Sequence, residues 1–191
     1  MLIRSVSLVA VGSLLGVFVP RLAQDRAPAA QNQDHGSPPK TGVHRMMASL
    51  AGEYDVALTF TPPQGDAIQS KGTAKLTSIL DGRFLLEENE GELMGTKIKG
   101  MRIYGWNAAA KQIEGVWMYT ESNAIMRLSG QPGADRQSAK FQGVVQETAE
   151  KKATVDIAAK RNQDGSLEFT IAHANDAGEA ATLHETYTKK K

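Results

Sequence analysis

From Glu53 to the C-terminal residues, apolar side chains recur at every second position, in one short run after another. Tyr54, Val56, Leu58 and Phe60 alternate with Glu53, Asp55, Ala57 and Thr59. A period of two belongs to a strand with one buried face, whereas a helix returns to the same face every 3.6 residues or so. Further runs are expected at Ala67–Leu80, Arg83–Glu90, Lys97–Trp106 and Gln112–Thr120. Others centre on Ala124, Met126 and Leu128, on Phe141, Gly143 and Val145, and on Ala153, Val155 and Ile157. The last two carry Leu167, Phe169, Ile171 and His173, then Ala181, Leu183 and Tyr187. Turn-forming clusters separate them, among them Pro62-Pro63-Gln64-Gly65-Asp66, Asp81-Gly82, Asn107 to Ala110, Gln131-Pro132-Gly133 and Gln163-Asp164-Gly165.

About ten strands with no long helical pattern between them describe an all-β antiparallel meander, either a barrel or a sandwich. Six of the seven prolines precede Gln64 and the other is Pro132, so the strands keep their ladder donors. A closed barrel would also remove exposed edges. One short N-terminal helix is expected where Met46, Met47 and Leu50 share a face, with Gly52 as its stop.

The N-terminal region reads differently. Arg4 precedes an apolar stretch, Ser5 to Val19, which is shorter than the roughly 20 residues of a membrane-spanning helix. With Pro20 after it and Ala27-Pro28-Ala29 as a small-x-small site, residues 1–29 are expected to be a cleaved signal peptide; an uncleaved anchor is the alternative. Residues 30–43, with Gln31, Asn32, Gln33, Asp34, Gly36, Ser37, Pro38 and Pro39 and carrying His35, are expected to be a disordered linker, and 44–191 the barrel domain. The expected location is periplasmic or secreted, with no membrane contact after leader removal.

Charge and composition exclude several functions. With 22 Lys+Arg and 21 Asp+Glu, removal of Arg4, Arg21, Arg26 and Asp25 leaves 19 against 20, a poor electrostatic partner for nucleic acid. There is no cysteine, hence no disulfide, thiolate metal site or cysteine nucleophile. The four histidines show no metal-ligand spacing, and no Gly-x-Ser-x-Gly nucleophile elbow occurs. No metal or cofactor is expected; a lone histidine such as His173 or His184 is more often a hydrogen-bonded rim residue than a haem ligand.

Several motifs, in order along the chain, resemble the DUF1579 family of bacterial proteins of unknown function. They are Leu50-Ala51-Gly52-Glu53-Tyr54-Asp55-Val56, where the family usually has Trp at the Tyr54 position, and Leu80-Asp81-Gly82-Arg83-Phe84-Leu85. Tyr104-Gly105-Trp106-Asn107, Gly115-Val116-Trp117-Met118-Tyr119-Thr120 and Glu185-Thr186-Tyr187-Thr188-Lys189-Lys190 follow. The resemblance implies an up-and-down, lipocalin-like (calycin-type) barrel over most of residues 44–190. It implies no activity.

Candidate ligand-binding residues come from strand parity. Tyr104 and Trp106 share one face, and Trp117 and Tyr119 another. If Trp106 pairs with Lys111, Trp117 falls opposite Gly100 and all four aromatics line one quadrant of a lumen. The alternative is that they are plain core. Glu87 and Glu88 point to opposite faces, so one carboxylate is expected inside, with Arg102 or Arg127 as its partner. His173 shares the face of Leu167, Phe169 and Ile171. The candidate site is therefore Tyr104, Trp106, Trp117, Tyr119, Glu88, Arg102, Arg127 and His173, with no residue assigned as catalytic. Three functions stay open: a binder of a small apolar molecule, a small barrel enzyme using an inward Glu/His pair, and an interaction module without a cavity. The partner expected under the first is a small apolar molecule.

Overall fold

A computed structural model describes residues 38–146, 150–174 and 178–191. The expected leader, and the expected linker up to Ser37 with His35, lie outside the described residues. The elements are α1 (Gly42–Ala48), β1 (Gly52–Thr61), β2 (Ile68–Ile79), β3 (Phe84–Leu93), β4 (Thr96–Asn107) and β5 (Gln112–Tyr119). They continue with β6 (Met126–Pro132), β7 (Ser138–Gln146), β8 (Lys152–Arg161), β9 (Leu167–Ala174) and β10 (Ala180–Lys189). Each strand pairs antiparallel with its sequence neighbours, and β10 returns to pair with β1, giving a closed up-and-down barrel. Alternation on a closed sheet sends one side-chain set inward and the other to solvent. The inward set includes Tyr54 and Val56, Ala74 and Leu76, Met126 and Leu128, and Leu167, Phe169 and Ile171, all buried.

Two boundaries differ from expectation. The helix starts at Gly42, inside the segment read as linker, because Thr41 and His44 cap it: the Thr41 backbone N–H donates to His44 Nδ1 at 2.9 Å. Strand β6 runs on to Pro132, which pairs with Ala139 at the strand's last position, where a missing donor costs little.

The register of β4 on β5 also differs. Arg102, not Gly100, faces Trp117, and Gly100 faces Tyr119. The shift comes from the turn. Asn107 stays in the ladder opposite Gln112, its side-chain oxygen accepts the N–H groups of Ala109 and Ala110, and Lys111 takes φ 53°. The displacement is an even number of positions, so the faces are kept and both tryptophans lie on the inner side. Trp106 pairs with buried Ile113, and Trp117 with buried Arg102.

Candidate functional site

The barrel lumen is crossed near its middle by a layer of polar side chains. Glu87 on β3 and Arg102 on β4 are cross-strand partners, while Glu185 and Tyr187 reach in from β10. Arg102 Nη1 donates to Glu87 Oε1 at 3.0 Å and to Glu185 Oε2 at 3.2 Å; Nη2 donates to Glu185 Oε2 at 3.2 Å and Oε1 at 3.3 Å. The Tyr187 hydroxyl donates to Glu87 Oε1 at 2.8 Å and accepts from Arg102 Nη1 at 3.3 Å. Asn89 Nδ2 adds a third donor to the same Glu87 oxygen at 3.0 Å. A Cβ on inward-facing Gly100 would strike the Asn89 amide, so glycine leaves room for that contact.

These groups are deeply buried: Glu87 is 0% exposed, Arg102 2% and Glu185 5%. Ions removed from water this far persist only when paired and hydrogen-bonded. Burial works against the charge on Arg102, yet Glu185 and Glu87 outweigh it and hold the guanidinium well above its ordinary pKa. Burial, followed by the two carboxylates, pushes the Tyr187 phenol well up. Tyr104 is also raised, by burial first and then by Glu87. Both phenols therefore stay protonated, and that of Tyr187 donates to Glu87. The Arg102 guanidinium carbon also sits 4.3 Å from the centre of the Trp117 ring, a cation–π contact. Two polar atoms of the layer lack a hydrogen-bond partner, Glu87 Oε2 and Arg102 Nε.

The layer divides the lumen. On the helix side lies a small apolar chamber of about 80 Å³, roofed by Met46, Met47 and Leu50 and bordered by Tyr104 and Glu87. On the other side lies a larger cup of about 230 Å³. Its walls include Val56, Leu58, Ile98, Trp117, Tyr119 and Leu183, and its floor is Arg102, Glu185 and Tyr187. The Trp117 and Tyr119 rings lie 5.4 Å apart with 48° between their planes.

The candidate residues from the sequence separate accordingly. Arg102, Trp117 and Tyr119 meet in the cup, whereas Tyr104 belongs to the chamber, where it packs on Phe141 with ring centres 5.8 Å apart. Trp106 faces inward, packs on the core and lines neither space. The aromatic quadrant is thus split by the polar layer. Glu88 and Arg127 are corrections: both are exposed on the outer face, because Glu87 holds the inward phase with Leu85, and Arg127 sits between inward Met126 and Leu128. His173 follows the inward phase but lies toward the strand's end, with Nδ1 3.2 Å from the Thr154 carbonyl oxygen. The expected Glu/His pair is not assembled, since Glu87 meets Arg102, Tyr187 and Asn89 instead. Glu185 and Tyr187 were missed as site residues. Their signal was present: Glu185 is in phase with Leu183 and Tyr187, a carboxylate where an apolar residue was expected.

Among the described residues, no group of three or more His, Asp or Glu is placed to hold a metal ion. The family model for DUF1579, a protein of unknown function, matches residues 39–190. Comparison with curated proteins returns no match. Among solved structures, an S-type phycobiliprotein lyase from Guillardia theta is similar with a TM-score of 0.56 and 10% identity, over 80% of this chain and 94% of the lyase. A redesigned β-barrel is similar with a TM-score of 0.38 and 15% identity, over 77% of this chain and 96% of that one. At 10% identity the lyase shares the fold, and the likeness goes no further than that.

Proposed function

The chain belongs to the DUF1579 family, whose description assigns no activity, and from that premise we propose that it binds a small, mostly apolar molecule in the open cup of its barrel. The observation that carries this reading is the cup itself: about 230 Å³ of space with aliphatic and aromatic walls and a buried, hydrogen-bonded polar floor. Pockets of this make-up hold small ligands, the apolar walls giving affinity and a few fixed polar groups giving orientation. The shared architecture with the Guillardia theta lyase is compatible with a lumen put to this use. We also read the protein as exported, on the strength of its leader-like N terminus.

Trp117 in the cup wall supplies a reporter. Titration with an apolar fluorophore should quench tryptophan emission in the wild-type protein and in a Trp106→Phe variant, but far less in Trp117→Phe. Equal quenching in both variants would place the molecule outside the cup and defeat the reading.

A further inference from the structure

The polar floor has a sign. One guanidinium faces two carboxyl groups, so the layer holds one more acidic than basic group. Both terminal nitrogens of Arg102 are already spent on Glu87, Glu185 and Tyr187, and one face of the guanidinium is covered by Trp117. Its remaining donor, Nε, is enclosed rather than offered to the cup. Glu185 is different. Its Oε1 accepts a single contact at 3.3 Å, and the residue keeps 5% of its surface open. The floor therefore has an acceptor to spare and no accessible cation.

The walls agree with this. Among the described residues, Arg102 is the only basic one lining the cup. The other acids there, Glu90 and Glu92, belong to the outward phase of β3. Glu90 pairs with Lys99 at 2.8 Å and Glu92 stands opposite Lys97, so the mouth is close to neutral and the floor decides. Tyr119 adds an aromatic ring of the kind that attracts organic cations, beside a Trp117 ring that already holds one, Arg102.

Resting on the binding reading above, we infer that the cup selects by charge. It takes an apolar molecule with a cationic head, an organic ammonium, whose N–H groups reach Glu185 while its hydrocarbon lies against Leu58, Leu183 and Trp117. A carboxylate head of the same size meets Glu185 with no free guanidinium to receive it.

Three probes of equal length separate the possibilities: hexylammonium, hexan-1-ol and hexanoate, titrated calorimetrically into the full chain at pH 7 and low salt. Hexylammonium should bind at least about tenfold more tightly than hexanoate, with the alcohol between them. Leu58→Trp, which fills the cup and leaves the floor intact, should abolish binding of all three, and Glu185→Gln should close the gap between amine and acid. Hexanoate binding as well as or better than hexylammonium, with Leu58→Trp still abolishing both, would overturn the charge selection and leave the cup reading standing. No binding by any probe, or binding untouched by Leu58→Trp, would overturn both. If Glu185→Gln fails to fold, the wild-type series and Leu58→Trp decide the matter.

Discussion

Arg102 is the residue on which the interior depends most. Its removal would leave Glu87 and Glu185 buried without a counter-charge, so Arg102→Met should cost roughly 3–5 kcal/mol in urea unfolding. The triple change Arg102→Met, Glu87→Leu and Glu185→Leu removes the whole ionic set and should recover most of that loss, because the desolvation cost goes with it. A triple variant no more stable than the single one would show that the layer is a net stabiliser of the fold. Gly82 makes a different demand. Leu80, Asp81 and Gly82 all have positive φ, at 49°, 57° and 77°, and a Cβ on Gly82 would meet Ser78 Oγ only at 3.5 Å. Space is available, so the backbone angle sets the cost: Gly82→Val should lose at least about 1 kcal/mol. An unchanged unfolding midpoint would contradict the left-handed turn.

At the scale of elements, alternation made the strands and their faces readable. The shared face of Trp106 and Trp117 was expected from an assumed pairing of Trp106 with Lys111, and it survived because the actual register differs by an even number of positions. The register itself was not readable. It depends on Asn107 accepting two turn N–H groups while remaining in the ladder, a local competition that an apolar/polar pattern does not encode. The polar layer was half readable. Arg102 and the Glu87/Glu88 alternative showed in strand phase, but the contact from Glu185 arrives across the lumen from a strand 83 positions away in sequence. Helix α1 carries a pH-dependent feature. Burial, and then the nearby charges of Arg83 and Lys40, hold His44 below its usual 6.5, and its neutral Nδ1 accepts the Thr41 N–H. With the folded value below the unfolded one, this contribution is complete above about pH 6.5 and is lost as pH falls through the folded value. Wild-type protein should therefore lose more stability between pH 7.5 and 5 than a His44→Gln variant does. Parallel slopes for the two would remove His44 as the cause.

For the whole molecule, the compartment is the open expectation. Exported material should begin between about Gln24 and Gln31 on N-terminal sequencing, with the barrel domain intact behind it. An intact Met1 terminus in the membrane fraction would favour an anchor instead. The pairing of β1 with β10 bears on how such a chain is made. Tyr54 lies beside Lys189, and the Lys190 N–H donates to the Glu53 carbonyl at 2.8 Å. The first strand thus waits for the tenth, and the ring keeps two unpaired edges until β10 has left the ribosome. Such a nascent chain needs guarding against edge-to-edge association until β10 emerges. The same proximity means that linking the end of β10 back to the start of α1 and reopening the chain at the exposed Gln163–Asp164 turn should yield a permuted protein with the same barrel. In that permutant β10 leads into α1 and β1, and closure is reassigned to β8 and β9.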